Sequence, residues 1–283
     1  MKKTGVAIIH GMGNQNRDFA DKFIKEIKAA YENTDEGKYR SSDIYFKPVY
    51  WAGVLNDEER KMWNNLNLDS LDFRDFRKFI VNYLGDAIAY QKMYDLKKAK
   101  IRKDISVYYK VQTIISDSLK DIDNNTEKGS PLVLIGHSLG TVMLMNYIYD
   151  SQKTPAHKKL NEWKDKCDTD NLTGLFLCGS PFALWTLRKK DFGEPVNFPG
   201  KNLSAQMKKR SRWLNIYDPD DILAYPLKNL NTSYKKISYL EDKAIEAGGL
   251  LTGGTPLSHS GYFKTADVIK MIAEFLKEIS PEH

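Results

Sequence analysis

Cysteine is scarce in this chain, and neither a long apolar run nor a strong charge of one sign is present. The 283 residues include two cysteines, Cys167 and Cys178, which do not make the disulfide framework of a small secreted domain. Low cysteine use is compatible with a reducing cytoplasm, so we expect a cytoplasmic protein. Cys178 follows an apolar run, which is typical of a small buried residue.

The lack of long apolar runs excludes two kinds of segment. The first apolar stretch, residues 6–9, follows two lysines but ends at His10. This stretch is too short for a secretory signal and far too short for a membrane span. No later stretch approaches membrane-spanning length, so we expect no transmembrane segment.

The charge is mildly basic and dispersed. Lys and Arg number 43 against 37 Asp and Glu, a net charge of +6 in a chain that is 28% charged. This excess is typical of ordinary solubility, so we expect no nucleic-acid partner. Repeats, low-complexity tracts and an interdomain linker are also missing, which favours a single domain over residues 1–283. Nothing in the sequence indicates an oligomeric state.

Segments typical of strands alternate with segments of helical periodicity. The predicted strands are residues 6–9, 44–51, 132–135, 172–178, 213–217 and, as a last short candidate, 237–240. Apolar residues recur at helical spacing in residues 20–31, 107–122, 142–148 and 266–276. Strands that alternate with helices need crossover connections, so the pattern predicts an α/β fold with a mainly parallel sheet covered on both faces.

Three further segments carry weaker patterns. From residue 56 to about residue 104, charged residues are mixed with large aromatics. The residues that fall on one helical face there are Phe73, Phe76, Ile80, Tyr83, Leu84 and Ala87. We interpret this segment as a helical insertion. A loop is predicted for residues 124–130, and a polar loop with a short helix for residues 151–170.

The most informative pattern is PLVLIGHSLG at residues 131–140. A run that is apolar on both faces suits a strand at the centre of a parallel sheet. It stops at Gly136, His137, Ser138, Leu139 and Gly140, which match G-x-S-x-G. A strand that turns at once into a helix brings backbone segments close together, which favours glycine at both positions. The pattern predicts a strained turn that presents the Ser138 hydroxyl as a nucleophile.

A serine hydroxyl needs a base to remove its proton and a carboxylate to orient that base. In an open parallel sheet, groups that meet a ligand lie just beyond the carboxyl ends of the strands. Asp218, Asp220 and Asp221 directly follow the predicted strand 213–217 and are candidates for the carboxylate. Plain turn chemistry and a cation site are alternatives for this acidic cluster.

The candidate base is His259, which lies in a glycine-rich loop before the closing helix. His157, in a lysine-rich loop, and the terminal His283 are expected to be solvated. His10 and His137 flank the two glycine turns and are expected to orient backbone groups rather than act as bases. His259 is then the histidine that follows both the serine and the acids, in the order expected for such a turn.

The opening turn, residues 10–15, follows a predicted strand and precedes a helix. Such a turn can bind a phosphate, but the full glycine patterns of dinucleotide-binding and P-loop sites are absent. It is better suited to supply a backbone donor. The N–H groups of Met12 and Leu139 are therefore predicted to be the two donors of an oxyanion hole.

These features together resemble the α/β-hydrolase fold and, within it, the lipase and esterase-like serine hydrolases. The resemblance spans nearly the whole chain and implies a three-layer α/β fold with a mostly parallel sheet. In related lipases the acid stands immediately before two apolar residues and a nearby proline. This selects Asp221, with Asp218 as the reserve choice and Asp220 as a weaker one. The motifs that carry the resemblance are residues 10–13 as oxyanion turn, 136–140 as elbow, 179–181 after the next strand, 221–226 as acid turn, and His259.

Two features depart from the family pattern. The family usually has further strands before the oxyanion turn, whereas here that turn begins at His10, which implies an N-terminally trimmed sheet. The helical insertion, approximately residues 56–104, is larger than a simple crossover. A lid over the active site and a purely structural helix pair are alternatives for it. As a lid, it would line an acyl-binding cleft with aromatic side chains, the candidates being Trp51, Trp63, Phe73, Phe76, Tyr83 and Tyr90.

We therefore expect a serine hydrolase that acts on a carboxylic ester, of a small molecule or a lipid, through an acyl-enzyme and without a cofactor or a metal ion. Ser138 would attack, His259 would take and return the proton, and Asp221 would hold the imidazolium. Acyl transfer and amide cleavage use the same acyl-enzyme and are alternatives. A non-catalytic binding module is a further alternative, because a fold alone does not give a function.

Overall fold

A parallel sheet of six strands forms the centre of the molecule. The computed structural model describes residues 1–12, 15–33, 38–70, 74, 81–90, 94–95, 100–101, 106–152, 167–248 and 258–280. Its strands are β1 (Thr4–Ile9), β2 (Ile44–Val49), β3 (Tyr94–Asp95), β4 (Lys100–Ile101), β5 (Leu132–His137), β6 (Leu172–Cys178), β7 (Arg212–Tyr217) and β8 (Leu240–Ala244).

Helices connect the strands, and the four segments with helical periodicity are confirmed as helices. The described helices are α1 (Asp21–Glu32), α2 (Asn56–Asn65), α3 (Asp86–Ala89), α4 (Val107–Asn125), α5 (Leu139–Ser151), α6 (Phe182–Thr186), α7 (Ala205–Arg210), α8 (Thr232–Lys235) and α9 (Ala266–Ile279). Because α4 continues to Asn125, the loop expected at residues 124–130 begins later than predicted. In the ranges given above, no helix has both the length and the apolar composition needed to cross a bilayer.

The strand order is β2-β1-β5-β6-β7-β8, and every neighbouring pair is parallel. The expected α/β fold with a mainly parallel sheet is therefore confirmed. The strand proposed at residues 237–240 was wrong, because β8 occupies Leu240–Ala244 and the Ile237 N–H instead donates to Tyr234 O in a turn. As an edge strand, β8 exposes most of its side chains, so its sequence lacks the apolar run of a buried strand.

Apolar side chains cover both faces of the sheet. On β6, Leu175 and Leu177 join a buried cluster with α4 and α5, whereas Phe176 and Cys178 join a second cluster with α1 and α9. Successive residues of a strand point to opposite faces, which is why a run without polar residues is needed here. Full burial of each such leucine or phenylalanine side chain contributes about 1.5–3 kcal/mol. The expected burial of Cys178 is confirmed.

The insertion is helical where α2, a π-helical turn over Val81–Gly85 and α3 are described. The short antiparallel pair β3 and β4 was not expected within it. Of the predicted helical face, Phe73, Phe76 and Ile80 lie outside the described residues, and so do residues 153–166 of the polar segment. The rest of that face lies in the π-helical turn and α3, where Leu84 is 46% exposed. Two aromatic candidates for the cleft, Trp51 and Tyr90, are buried in the first apolar cluster.

Candidate active site

The sheet has its topological switch point between β1 and β5, where open α/β folds form a crevice. From β1 the chain continues to β2 on one side, and from β5 it continues to β6 on the other side. At such a point the two connections diverge, which leaves space for a ligand beyond the carboxyl ends of the strands. The opening turn follows β1 and the G-x-S-x-G turn follows β5, so the fold places the two predicted glycine turns on either side of this crevice.

Ser138 occupies a strained backbone conformation between β5 and α5. Its φ is 52° and its ψ is −128°, a region that residues with a side chain rarely adopt. Two hydrogen bonds hold the residue there. The Ser138 N–H donates to Cys178 O at 2.9 Å, and the Thr141 hydroxyl donates to Ser138 O at 2.6 Å. The predicted strand, sharp turn and helix are therefore present at this position.

The two glycine turns approach each other closely. A Cβ atom added to Gly140 would lie 2.4 Å from His10 O, and one added to Gly11 would lie 2.7 Å from Ser138 Cβ. Real carbon and oxygen atoms do not approach to these distances, so both positions require glycine. The backbone of the opening turn consequently packs directly against the serine.

Ser138, His259 and Asp221 form a continuous series of hydrogen bonds. His259 Nε2 lies 2.6 Å from Ser138 Oγ, and His259 Nδ1 lies 2.7 Å from Asp221 Oδ2. A carboxylate can only accept, so Nδ1 carries the imidazole proton and Nε2 is left to accept from the serine hydroxyl. All three residues are buried, with 1%, 5% and 3% of their surface exposed, respectively.

Asp221, rather than its two neighbours, contacts the histidine. Asp218 Oδ2 instead accepts hydrogen bonds from the N–H groups of Ala247 at 2.7 Å and Gly248 at 3.1 Å. Its Oδ1 accepts from the Asp220 N–H at 2.9 Å. Asp218 therefore holds its own turn to the segment after β8. Among the residues that the structure describes, no group of three or more His, Cys, Asp or Glu side chains is placed to hold a metal ion.

The environment of Asp221 keeps its carboxylate ionised. Burial is the largest influence on its pKa and favours the neutral form. The hydrogen bond and charge of His259, the Leu223 N–H at 3.0 Å and the Tyr262 hydroxyl at 2.8 Å act in the opposite direction. These groups outweigh burial, so the pKa of Asp221 lies below its usual value.

His10 orients the opening turn as an uncharged side chain. Its Nδ1 donates to Gly11 O at 2.6 Å, and its Nε2 accepts from the Trp51 N–H at 3.1 Å. Trp51 Nε1 donates back to His10 O, and the two rings stack with centroids 5.0 Å apart. Burial lowers the pKa of His10 to about 4, so the imidazole is neutral at pH 7.

His137 orients the loop that carries the other histidine. Its Nε2 donates to the backbone oxygen of His259 at 2.7 Å. Burial above all, and then the electrostatic interaction with the neighbouring His259, lower the pKa of His137 to about 3. These contacts agree with the prediction that His10 and His137 position backbone groups.

The two predicted oxyanion donors lie on the turns that meet at the serine. Leu139 is the first residue of α5, and the first N–H groups of a helix lack a partner within it. Met12 directly follows Gly11, whereas the next two residues lie outside the described ranges. The direction of these two N–H groups toward an oxyanion remains a prediction.

Tyr262 also belongs to the site, although the sequence assigned it no role. Its hydroxyl contacts the carboxylate of Asp221, as described above, and its side chain is fully buried. The one signal available was its position three residues after His259.

Comparison of the chain with protein-family models, with curated proteins and with solved structures found no match.

Proposed function

We propose that this protein is a serine hydrolase of the α/β-hydrolase type that cleaves a carboxylic ester, of a small molecule or a lipid, through an acyl-enzyme. The observation that carries the proposal is the hydrogen-bonded series from Ser138 through His259 to Asp221. A neutral imidazole that donates to an ionised carboxylate and accepts from a serine has the polarity that general-base catalysis needs.

In the proposed reaction, Ser138 Oγ attacks the ester carbonyl carbon while His259 Nε2 takes the hydroxyl proton. The new C–O bond moves the carbonyl electron pair onto oxygen, and Asp221 stabilises the imidazolium through Nδ1. The oxyanion then collapses, the alcohol leaves with the proton from His259, and Ser138 is left acylated. Water attacks this ester by the same steps and releases the carboxylic acid.

Met12 and Leu139 are the proposed backbone donors to the oxyanion. The close packing of Gly11 against Ser138 supports this assignment, because it brings the opening turn next to the atom that attacks. One donor of this kind is worth about 10²–10³ in kcat in enzymes of this class.

The helical insertion is proposed as a lid that contacts apolar substrate. Four large apolar side chains of its described part are exposed, and a lid would bring such side chains against an apolar substrate. They are Met62 at 40%, Leu66 at 59%, Leu84 at 46% and Ile88 at 71%. Activity that rises with acyl length and above the micellar threshold of the ester is the expected outcome. Activity that does not change with acyl length or above the micellar threshold would contradict the lid and leave the proposed esterase chemistry unaffected.

The main test is hydrolysis of p-nitrophenyl esters of graded chain length, combined with covalent labelling by a fluorophosphonate probe. We expect wild-type protein to be labelled at Ser138, and Ser138→Ala to lose both labelling and turnover while it keeps its fold. Full activity in Ser138→Ala would contradict the assignment. Absence of labelling and turnover in the wild type would favour a binding protein. Competing alcohol and amine acceptors in the same assay distinguish hydrolysis from acyl transfer.

The acidic cluster offers matched controls for the acid. Asp221→Asn should lower kcat by orders of magnitude, because an amide at Oδ2 no longer holds the required imidazole tautomer. Asp220→Asn, at an exposed carboxylate outside the series, should leave kcat unchanged. Asp218→Asn should lower the free energy of unfolding but change kcat less than Asp221→Asn does, since the Asp218 oxygens accept from backbone N–H groups. A larger loss of kcat in Asp218→Asn than in Asp221→Asn would reverse the choice.

A further inference from the structure

Tyr262 connects the two acids that the sequence left as alternatives. Its hydroxyl donates to Asp221 Oδ2 at 2.8 Å and accepts from the backbone N–H of Asp218 at 2.9 Å. Asp221 Oδ2 is the same oxygen that accepts the His259 Nδ1 proton at 2.7 Å. One carboxylate oxygen therefore receives two side-chain donors at once.

The direction of the hydrogen bond from Tyr262 follows from its partners. The Asp218 N–H can only donate, so the phenol oxygen accepts there and directs its own proton to the carboxylate. Burial, followed by the negative charge of Asp221, raises the pKa of Tyr262, which keeps the phenol protonated. The phenol is thus a permanent donor to Asp221 in the folded protein.

The position of the ring is fixed by the backbone after β6. Gly179 has a φ of +59°, and a Cβ atom there would lie 2.6 Å from Tyr262 Cε2. The ring is also 5.8 Å from that of His137, centroid to centroid. A glycine in the left-handed region makes room for the phenol, so Tyr262 fits a specific space beside the acid.

We propose that Tyr262 is a positioning residue of this site, which fixes the Asp221 carboxylate and limits how strongly it attracts a proton on His259. This inference rests on the proposed function. A donor to Oδ2 draws negative charge away from the oxygen that faces the imidazole. Without the phenol, the carboxylate keeps the Leu223 N–H and His259 as partners but is held by one hydrogen bond fewer. It is then a stronger partner for the imidazolium, so the imidazolium persists to higher pH and the geometry loosens.

Tyr262→Phe removes the hydroxyl and keeps the ring. We expect kcat to fall about tenfold with KM little changed, because Tyr262 is fully buried and acts through Asp221. We also expect the acid limb of the kcat/KM profile to move up by about 0.5–1 pH unit, since a hydrogen bond to a charged group is being lost. Tyr31→Phe is the matched control, because that buried hydroxyl donates to Ser280 Oγ and not to a group of the site. It should leave the pH profile unchanged.

Titration of the His259 imidazole by ¹⁵N NMR gives a readout that needs no turnover. Its midpoint should move to higher pH in Tyr262→Phe, and it should move to lower pH when 3-fluorotyrosine, a stronger donor, is placed at position 262. The fluorinated protein retains the ring and hydroxyl, so it tests the inference even if Tyr262→Phe folds poorly. Turnover with unchanged midpoints in both variants would overturn the role of Tyr262 and leave the hydrolase proposal intact. Shifted midpoints in a protein without turnover would uphold Tyr262 and overturn the hydrolase proposal.

Discussion

Protonation of His10 should couple the stability of the opening turn to pH. The side chain is 2% exposed, and its Nε2 accepts a hydrogen bond from the Trp51 N–H at 3.1 Å. A proton on Nε2 would turn this acceptor into a donor, which would then face the Trp51 N–H, also a donor. The charge would also be buried beside the stacked ring of Trp51. The folded protein therefore resists protonation, and the pKa of His10 falls from 6.5 to about 4.

The sign and size of the effect follow from linkage. Because the pKa of His10 is lower in the folded state, the unfolded chain binds more protons between pH 6.5 and about 4. The free energy of unfolding therefore decreases as the pH is lowered through that window. Between about pH 7.5 and pH 5, this one group should lower the free energy of unfolding by about 2 kcal/mol. Below pH 4 the loss should approach its limit of about 3 kcal/mol.

The assay compares wild type with His10→Gln by urea unfolding, followed by tryptophan fluorescence, at about pH 7.5 and pH 5. The glutamine oxygen can accept from the Trp51 N–H but does not titrate. His137 and the carboxylates titrate in both proteins, so their contributions cancel in the difference. The stability gap between the two proteins should therefore narrow by about 2 kcal/mol at the lower pH. A gap that stays constant would show that His10 is not protonated differently in the folded and unfolded states.

Two further substitutions test the supports of the site. Gly140→Ala should abolish ester hydrolysis and lower the free energy of unfolding by about 1–3 kcal/mol, because the added Cβ would lie 2.4 Å from His10 O. Wild-type activity in this variant would contradict the close approach of the two turns. Asp242→Asn should lower the free energy of unfolding by about 1–3 kcal/mol, since its carboxylate accepts from Asn215 Nδ2 and from two backbone N–H groups after the acid turn. Its exposed neighbour provides the control, Glu241→Gln, which should change stability by less than about 0.5 kcal/mol. If Asp242→Asn and Glu241→Gln lower the free energy of unfolding equally in a denaturant titration, the hydrogen bonds to Asp242 do not stabilise the fold.

The parts of the fold that the sequence predicted are those with strong local causes. β6 was predicted over residues 172–178 and occupies Leu172–Cys178, because a strand covered on both faces needs an uninterrupted apolar run. The elbow at Ser138 was predicted because a strand that turns into a helix needs glycine on both sides. Each of these signals is contained within about ten residues of sequence.

The parts that local sequence patterns missed or left open depend on distant contacts. β8 has only one neighbouring strand and exposes Glu241 and Lys243, so its pattern is that of a polar loop. Asp218 and Asp221 have similar local chemistry, and what separates them is the donor that each one meets. For Asp218 these donors are backbone N–H groups almost thirty residues away, after β8. The fold determines which distant group becomes the partner, and the residues around Asp218 do not indicate it.

The residues at the end of β6 contact both the elbow and the acid turn of the proposed site. Cys178 O accepts from the Ser138 N–H, and the Ser180 hydroxyl, which accepts from the Phe182 N–H, donates in turn to Thr141 beside the elbow. The backbone oxygen of Ser180 accepts from the Tyr225 N–H of the acid turn.

The strain at Ser138, about 1–3 kcal/mol for such a conformation, persists only if the surroundings hold it. The contacts that hold it come from the same short segment that positions the acid turn and, through Gly179, makes room for the ring of Tyr262. A change in the path of residues 178–180 would therefore displace the serine and its acid together. For this reason we expect substitutions there to lower kcat through the positions of the serine and the acid.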